Sequence, residues 1–550
     1  MTADRAAEVV AFGDAAGSGP APAALSVERL GAKAVHLIRM ASVGLPVPPG
    51  FVLSTDVCRH YHGGDGPAAL DPVMAEMQGH LGALEARTGR GFGTARRPLL
   101  LSVRSGAPQS MPGMLETLLN VGLNRATIGG LLRATGNPRF VWDCYRRLVQ
   151  QYAEVVEGLG VAPFVDLVEA ELAKAGVDAL ADLDFAHLES LAEAFLVRFR
   201  SLTGRDFPED PQQQLRAAVE AVLRSWMSDK ARTYRRLAGL SDAGGTAVTV
   251  QAMVFGNVGP TSGSGVAFTR DPDSGEKRLY ADFRFGGQGE DVVSGRFAVI
   301  GAQRLAGRLP TVWAELRRIA TRLEGEFRDM QDFEFTVENG QLWLLQSRPG
   351  WRSPRAAVRI AVDLVADGLI DEQTALDRLA GIDARALEQR RLTVGGDDRP
   401  LAHATPASFG CAVGALAFDV ESARKLAAAG RPVILARYDL STAEIEGLRL
   451  AEGVVTAAGA RTSHAAVVAR ALGKVCLVGC RDLRIAEDAA CCSFGSAIVA
   501  AGEFISLDGA AGTIYRGRLP VTEESPLPEL ATIEEWRLRS RGPTPVGASS

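Results

Sequence analysis

The chain has 550 residues, 47% hydrophobic and 23% charged, so it is long enough for roughly three to four globular domains and is neither disordered nor fibrous. Its 60 basic and 65 acidic residues leave no positive excess for nucleic-acid binding, and its seven cysteines follow no disulfide or zinc spacing. With no signal-peptide pattern and no uncharged apolar run of about 18 residues, we expect a cytoplasmic protein without membrane or nucleic-acid partners.

The first half begins with a predicted tail over 1–26 and then alternates helix-like and strand-like segments. AKAVHLIRMASVG predicts a helix that ends at Gly44, and PLLLSVRSGA (98–107) predicts a buried strand that runs into a loop. Apolar residues at i, i+3 and i+4 predict that 125–240 is mostly helical. Further strands follow, and DFEFTVENGQLWLLQSR is typical of a hairpin that turns at Asn339-Gly340.

The second half contains another unit of helices and strands. An Arg-rich and partly helical stretch with a polar break at 394–400 predicts a linker over 351–400. Strand signals at RPVILAR, GKVCLVG and EFISLDG place an αβ unit over 401–518, and 519–550 is predicted as a tail because it has little apolar periodicity. We therefore expect an α/β multidomain protein.

Two loops of small residues are candidates for phosphate binding. RSGAPQSMPGM (104–114) contains Arg104 and Gly113, and GNVGPTSGSG (256–265) lies between two predicted strands. Such loops bring backbone N–H groups close to phosphate oxygens, and an arginine can neutralise the charge. Taken alone, each sequence is also typical of an ordinary surface loop or hairpin.

The predicted hairpin carries candidate metal ligands. Asp332 and Glu334 are two residues apart on one strand and therefore share a face, and Gln346 lies on the partner strand. Oxygen ligands that converge on one face suit Mg²⁺ bound to nucleotide phosphates, and Arg348 could face the same phosphates. Acidic residues on a solvated strand are the alternative interpretation.

The most specific stretch is GARTSHAAVVARALGK (459–474). Thr462 and Ser463 are candidate N-caps for a helix that Gly473 would end. His464 would then lie at the positive end of the helix dipole, where a histidine nucleophile can carry a phosphoryl group. A structural or capping histidine is the alternative.

Together these stretches resemble the pyruvate, phosphate dikinase family. The similarity runs in the family's order from about residue 28 to 518 and includes LGAKAVHLIRMASVGLPVPPGF, LSVRSGAPQSMPGMLETLLNVGLN, MQDFEFTVENGQLWLLQSRPG and RTSHAAVVARALGKVCLVGC. The resemblance implies an ATP-grasp nucleotide-binding domain over 27–350 with a helical insertion at about 125–240. After the 351–400 linker it implies a swivelling phosphohistidine domain over 401–518.

The resemblance also implies roles for single residues. His464 would be the phosphorylated residue, Arg104 would act in catalysis, and Thr462 matches a position that a regulatory kinase modifies in some members. Asp332, Glu334 and Gln346 would hold Mg²⁺. The full set implied to bind ATP and its metal is Lys33, Arg104, Gly113, Asp332, Glu334, Gln346 and Arg348.

In the family, ATP gives its β,γ-diphosphoryl group to the histidine and AMP leaves. Phosphate then takes the γ-phosphoryl group as diphosphate, and the phosphohistidine donates to pyruvate on a C-terminal barrel. That barrel has no counterpart in these 550 residues. We therefore expect the nucleotide half-reaction, with pyruvate or another acceptor bound by a separate polypeptide, most simply a barrel protein. Water in place of phosphate stays an alternative.

Two departures from the family's pattern lie in the nucleotide site. The usual Gly-Gly-Lys-Gly reads Gly31-Ala32-Lys33-Ala34, and Pro108 stands where a basic residue is common. Added methyl groups can block close approach of a backbone to phosphate, and a lost cation weakens charge stabilisation. Both changes are expected to lower the rate of the nucleotide reaction.

Two other functions stay open. One is a dikinase for a different small acceptor, similar to the rifampicin phosphotransferases. Those relatives place an acceptor domain between the nucleotide and histidine domains, whereas here only the 351–400 linker intervenes. The other is a non-catalytic nucleotide-binding regulatory protein, which the retained Asp332, Glu334, Gln346 and His464 argue against.

Overall fold

Helices and sheets are combined in the computed structural model of this chain, which agrees with the predicted α/β multidomain fold. The structure describes residues 8–13, 25–109, 111, 114–237, 239–293, 300–382, 390–396, 398–408, 410–440, 445–459, 464–486, 490–523 and 528–540. One unit comprises Met1–Ser262 and Thr336–Arg348, and the second comprises Gly263–Phe335 and Pro349–Ser550.

The first unit is built on a five-stranded antiparallel sheet with the order β1-β2-β7-β5-β6. Its strands, with the short parallel pair β3–β4, are β1 (Val9–Phe12), β2 (Gly50–Leu53), β3 (Gly91–Phe92), β4 (Pro98–Leu99), β5 (Leu101–Gly106), β6 (Thr117–Val121) and β7 (Ala247–Ala252). Val9 and Phe12 are buried, and Val9 lies opposite Leu53. The predicted tail is therefore wrong for 9–12, because pairing with a distant strand orders a segment that is too short to show periodicity.

The described part of the first unit also contains nine α-helices. They are α1 (Val27–Ser42), α2 (Thr55–His60), α3 (Leu70–Thr88), α4 (Arg125–Thr135), α5 (Pro138–Val155), α6 (Ala162–Ala175), α7 (Phe185–Thr203), α8 (Pro211–Ser225) and α9 (Asp229–Leu237). Helix α1 is the one predicted to end near Gly44, and α4–α9 account for the predicted helical stretch. Tyr145, Tyr152 and Phe199 each meet Phe207 edge to face in its core.

The second unit contains the remaining elements, apart from the end of β11 and most of β12. Its helices are α10 (Gly289–Val293), α11 (Ala302–Arg308), α12 (Pro310–Phe327), α13 (Pro354–Ala366), α14 (Glu372–Leu379), α15 (Val420–Ala428), α16 (Ile445–Leu450), α17 (His464–Ala471) and α18 (Glu529–Ser540). The strands that follow β7 along the chain are β8 (Gly263–Phe268), β9 (Tyr280–Phe285), β10 (Ile300–Gly301), β11 (Gln331–Glu338), β12 (Gln341–Pro349), β13 (Arg390–Leu392), β14 (Pro400–His403), β15 (Thr405–Ser408), β16 (Cys411–Ala417), β17 (Val433–Arg437), β18 (Gly453–Thr456), β19 (Val475–Val478), β20 (Leu483–Ile485), β21 (Cys491–Phe494), β22 (Ala497–Ala500), β23 (Phe504–Asp508), β24 (Thr513–Arg516) and β25 (Val521–Glu523). β11 begins in the second unit and ends in the first, and most of β12 belongs to the first.

The predicted hairpin is present as β11 and β12, which are neighbours in a sheet of order β10-β9-β8-β11-β12. Asn339 has φ +51° and Gly340 φ +83°, the two positive values that a two-residue type I′ turn requires. The Asn-Gly signal in the sequence therefore located this turn correctly.

Helices α13, α14 and α18 pack together and bury Ala361, Leu379 and Trp536. The predicted 351–400 linker is therefore partly helical, as expected, whereas the predicted 519–550 tail contains a packed helix that the sequence did not indicate. Helix α18 was missed because its apolar stripe is narrow and can be recognised as a buried face only when its partner helices are known.

Arg270, with its side chain fully buried, connects this helical group to the rest of the second unit. Its Nε donates to Glu324 Oε1 at 2.9 Å, and its Nη1 donates to Asp363 Oδ2 at 2.6 Å. Glu324 lies on α12 and Asp363 on α13, so one guanidinium joins two helices to the loop that follows β8.

An eight-stranded sheet follows, with the order β14-β24-β23-β16-β17-β18-β19-β15. Its strands β16 to β19 are parallel and are connected by α15, α16 and α17, and the strands predicted from RPVILAR, GKVCLVG and EFISLDG are β17, β19 and β23. Beside it, β13 pairs with β25, so the segments before and after the sheet run next to each other. No helix in the described ranges combines the length and apolar character needed to cross a membrane.

Candidate functional site

A close contact between two backbones shapes the first candidate site, within the first unit. Helix α1 is interrupted at Gly31, where φ is +74° and ψ is +152°. A Cβ at Gly31 would stand 2.0 Å from the carbonyl oxygen of Gly106, at the end of β5, so only glycine fits. The N–H of Ala32 then donates to the carbonyl of Ala107 at 3.1 Å, which joins the start of α1 to the 104–107 segment.

Lys33 follows directly and is half-buried. A Cβ at Gly106 would lie 3.8 Å from the Cβ of Lys33, so the lysine leaves α1 beside the end of β5. Neither Ala32 nor Ala34 has a positive φ, and Ala34 is fully buried in the helix. The alanines that depart from the family's pattern therefore occupy ordinary helical positions, and the glycine that the backbone requires is retained as Gly31.

Arg104 reaches from β5 to β12. Its Nη1 donates to the carbonyl of Leu345 at 3.0 Å, and its Nη2 donates to Gln346 Oε1 at 3.4 Å. These contacts hold the planar guanidinium in one orientation at the strand end next to Gly106. Arg348 lies two residues beyond Gln346 on β12 and so shares its face of the strand. The structure thus brings Arg104 and Gln346 into contact, beside the segment that carries Lys33.

His36 lies one turn beyond Lys33 on α1. Burial and the nearby positive charge of Arg39 lower the pKa of His36 to about 4, while a hydrogen bond with the Ser347 backbone opposes the shift. The imidazole is therefore neutral at physiological pH, and it packs α1 against β12 without adding a charge beside Lys33.

Asp332 and Glu334 lie on the part of β11 that belongs to the second unit. Phe333 and Phe335 alternate with them and are buried, with Phe335 stacked on Phe283 at a centroid distance of 5.8 Å. The two carboxylates consequently share the opposite face, as the spacing predicted. Asp332 is only 3% exposed. Among the described residues no group of three or more His, Cys, Asp or Glu side chains could hold a metal.

The glycine-rich segment 256–265 is a loop as far as residue 262, but its last glycines have a different role from the one that its composition suggested. Gly263 and Gly265 lie within β8, not in a loop. A Cβ at Gly263 would stand 2.2 Å from the Phe283 ring, and one at Gly265 would stand 2.5 Å from the Phe335 ring. These two glycines make room for aromatic packing behind the β11 carboxylates.

In the second unit, His464 is the first residue of α17. The helix ends as predicted: Gly473 has φ +65°, the Gly473 N–H donates to Arg470 O at 3.0 Å, and the Lys474 N–H donates to Ala469 O at 2.9 Å. Ala466 and Ala469 are buried and anchor the helix on the parallel strands. Thr462, Ser463 and Gly113 lie outside the described residues.

Cys480 and Cys492 of this domain are buried. Burial raises the pKa of Cys480 to about 11 and that of Cys492 to about 12. Both side chains are therefore protonated thiols at neutral pH and poor nucleophiles.

Comparison with known families shows to which family this chain belongs. The family described as "Pyruvate phosphate dikinase, AMP/ATP-binding domain" matches residues 69–299 and 311–367, which is more than half of the chain. The chain belongs to the pyruvate phosphate dikinase family. Residues 429–512 match a second family, "PEP-utilising enzyme, mobile domain". Arg104, Asp332, Glu334 and Gln346 fall within the first match and His464 within the second, whereas Lys33 precedes both.

Individual pyruvate phosphate dikinases are similar along nearly the whole chain. The protein of Clostridium symbiosum is 41% identical over 516 residues, covering 92% of this chain and 58% of its own length. The Rhizobium meliloti protein is 39% identical over 536 residues, covering 94% and 58%, and the chloroplastic protein 1 of Arabidopsis thaliana is 39% identical over 509 residues, covering 92% and 53%. This chain therefore spans little more than half the length of these relatives.

Sequence reasoning missed two contributors to this site. The acceptor on Leu345 is a backbone carbonyl 241 residues from Arg104, and no side-chain pattern marks such a group. The role of Gly31 could have been inferred, because a glycine immediately before Ala32-Lys33, at the start of the predicted helix, indicates a special backbone conformation there.

Proposed function

We propose that this chain is an ATP-dependent phosphotransferase of the pyruvate, phosphate dikinase type that carries out the nucleotide half-reaction. His464 attacks the β-phosphorus of ATP, an N–P bond forms, and AMP leaves. Phosphate then attacks the γ-phosphorus, diphosphate leaves, and phosphohistidine remains. Two observations on one chain support this proposal. The first match contains Arg104 and Gln346, which contact each other beside Lys33. The second match, to the mobile domain, contains the helix that begins at His464.

The cationic side chains would stabilise the transferred phosphates. Phosphoryl transfer needs mostly positioning and charge stabilisation from the protein. Arg104 is suited to this role because β12 already orients its guanidinium, so little reorganisation is needed when ATP binds. Lys33 and Arg348 would add positive charge, and the contact between Gly31 and Gly106 sets where Lys33 leaves the helix.

Asp332 and Glu334 fit a magnesium ion bound together with nucleotide phosphates. Mg²⁺ is commonly held by one or two carboxylates plus phosphate oxygens and water, so two acidic side chains on one strand face are a sufficient donor set. The expected role of Gln346 as a further ligand stays a prediction. When bound, the ion would neutralise charge on the β- and γ-phosphates.

The position of His464 supports its role as the nucleophile. The first turn of a helix has unpaired N–H groups and a partial positive charge, which stabilise a phosphoryl group attached there. A covalent phosphohistidine also divides one transfer into two easier ones. The regulatory role expected for Thr462 stays a prediction.

For the final acceptor we propose pyruvate, because the similar proteins are named for it. Phosphate, and not water, is proposed as the acceptor of the γ-phosphoryl group for the same reason. A separate barrel protein and a cytoplasmic location, both expected from the sequence, stay predictions.

The test is AMP and diphosphate formation by the purified chain with ATP, Mg²⁺ and phosphate, together with acid-labile label from β-³²P-ATP on the protein. We expect stoichiometric AMP and label for the wild type. His464→Ala should lose both, and His403→Ala, an exposed histidine on β14, should lose neither. Label that survives in His464→Ala, or a folded wild type that forms neither AMP nor label, would refute the proposal.

A further inference from the structure

A cavity of about 460 Å³ lies in the first unit, at the tip of the β11–β12 hairpin. Its wall combines the end of α3, the start of β4, the end of α4 and the segment after β7. Leu131, Phe255 and Val258 give it an apolar side, and Thr88, Thr135 and Gln341 give it neutral hydrogen-bonding groups. This size and mixture are typical of pockets for small molecules.

The charged residues of this cavity are two arginines and one carboxylate: Arg90, Arg97 and Glu338. Both arginines are exposed, and in the described part of the chain the Arg97 guanidinium has no hydrogen bond or ion pair. Arg96 and Arg133 lie nearby, and Arg133 donates to the Ala95 carbonyl. The mouth of the cavity is therefore positive although the chain as a whole is acidic.

Glu338 is half-buried and faces both a cation and an amide. Burial raises its pKa, while Arg90 and a hydrogen bond from the Phe255 N–H partly offset that shift. Burying a carboxylate in a cavity wall is unfavourable unless it has partners. A ligand hydroxyl that donates to Glu338 would provide one more.

The cavity is distinct from the candidate nucleotide site. Gln341 lines the cavity and Gln346 contacts Arg104, and five residues of strand separate them by about 16 Å. β4 and β5 show the same separation, because Pro98 at the start of β4 lines the cavity and Arg104 lies near the other end of β5. The cavity thus lies at the opposite end of these strands.

We propose that this cavity binds a small hydroxylated oxyanion, either a hydroxycarboxylate or a phosphate monoester. Arg90 and Arg97 would bind the carboxylate or phosphate group, because guanidinium donors match the geometry of these oxyanions. Glu338 would accept from a ligand hydroxyl, and the side formed by Leu131, Phe255 and Val258 would cover the carbon skeleton. The site is independent of the proposed dikinase reaction, because its recognition groups are separate from Lys33, Arg104 and His464.

Calorimetric titration of the full chain with citrate and with glycerol 3-phosphate, without ATP or Mg²⁺, tests this site. One probe represents each oxyanion class, so the pair also distinguishes between them. We expect at least one to bind with a dissociation constant near or below about 1 mM. The double variant Arg90→Gln/Arg97→Gln should weaken that binding about tenfold or more, because each charged hydrogen bond contributes strongly.

Two controls make the result specific. Arg96→Gln removes a neighbouring exposed arginine outside the cavity wall and should change the affinity less than about twofold. Arg104→Gln, at the nucleotide site, should also leave it unchanged. Failure of both probes to bind, or equal binding by the double variant and the wild type at matched thermal stability, would overturn the proposal. Neither result would bear on His464 labelling.

Discussion

Gly31 and Gly106 meet backbone to backbone, with room between them for no side-chain atom: a Cβ on Gly31 would stand 2.0 Å from the Gly106 carbonyl oxygen. This contact aligns the start of α1 with the end of β5. Lys33 lies two residues after Gly31 and Arg104 two residues before Gly106, so the contact determines where both side chains are placed.

Gly31→Ala should therefore damage both stability and phosphate binding. The new methyl group meets a backbone oxygen, and φ +74° is unfavourable for alanine, so we expect a loss of about 2–4 kcal/mol in the free energy of unfolding. Urea unfolding and ATP titration measure the two effects. Gly82→Ala is the matched control: Gly82 is exposed within α3 with open space around it, and its replacement should stabilise by about 1 kcal/mol.

Arg104→Lys keeps the positive charge but should still slow phosphorylation of His464. A lysine lacks the planar fork of donors with which Arg104 contacts the Leu345 carbonyl and Gln346 Oε1, so the cation loses its fixed orientation. We expect a decrease of about tenfold or more in the labelling rate with β-³²P-ATP. Arg125→Lys, which changes an exposed pair with Glu193, should label like the wild type. Equal rates for both variants would rule out the orientation role.

His36 should make the first unit less stable in mild acid. Its pKa is about 4 in the folded chain and near 6.5 when unfolded, so the unfolded state binds the proton first as the pH falls. The stability is present above about pH 6.5 and is lost progressively toward pH 4, with about 2 kcal/mol lost by pH 5. Urea unfolding near pH 7.5 and pH 5 should show a smaller drop for His36→Gln than for the wild type. Parallel losses in the two proteins would contradict this assignment.

Arg270→Met should destabilise the second unit strongly, because it leaves Glu324 buried without its cation. Removing one partner of a buried ion pair typically costs about 3–5 kcal/mol. Trypsin should then cut α13 at Arg355 or Arg359, which the intact packing protects. Lys277→Met removes an exposed pair with Asp367 and should cost under about 1 kcal/mol without exposing α13. Unchanged unfolding of Arg270→Met would mean that the network is not needed for stability.

Elements with local chemical signals were predictable from the sequence. The Asn339-Gly340 pair favours a two-residue hairpin turn, and Gly473 favours the left-handed conformation that ends a helix. Both residues have positive φ in the structure, so the predicted turn and the predicted helix end are confirmed. The α1 helix and the β5 strand have enough apolar periodicity to be recognised alone. Arg104 and His464 were candidates from their own sequence settings, whereas Lys33 came from the resemblance to a family. The functional roles of all three stay predictions.

Elements that depend on distant partners were not predictable. β1 is ordered by pairing with β2, and α18 is ordered because Trp536 packs against α13 and α14. Likewise Gly263 and Gly265 suggested a phosphate loop, but their small size serves the rings of Phe283 and Phe335. Composition gives the size of a residue; it does not identify the neighbour that requires that size.

The scarcity of lysine gives the position of Lys33 a practical use. The chain has six lysines against 54 arginines, and Lys174, Lys230, Lys277 and Lys425 are well exposed. Lys33 is one of two half-buried ones, with Lys474. The chain can therefore be acylated with a water-soluble anhydride and analysed by mass spectrometry. A ligand bound beside Gly106 would slow the acylation of Lys33, whereas the four exposed lysines would be modified rapidly with or without it.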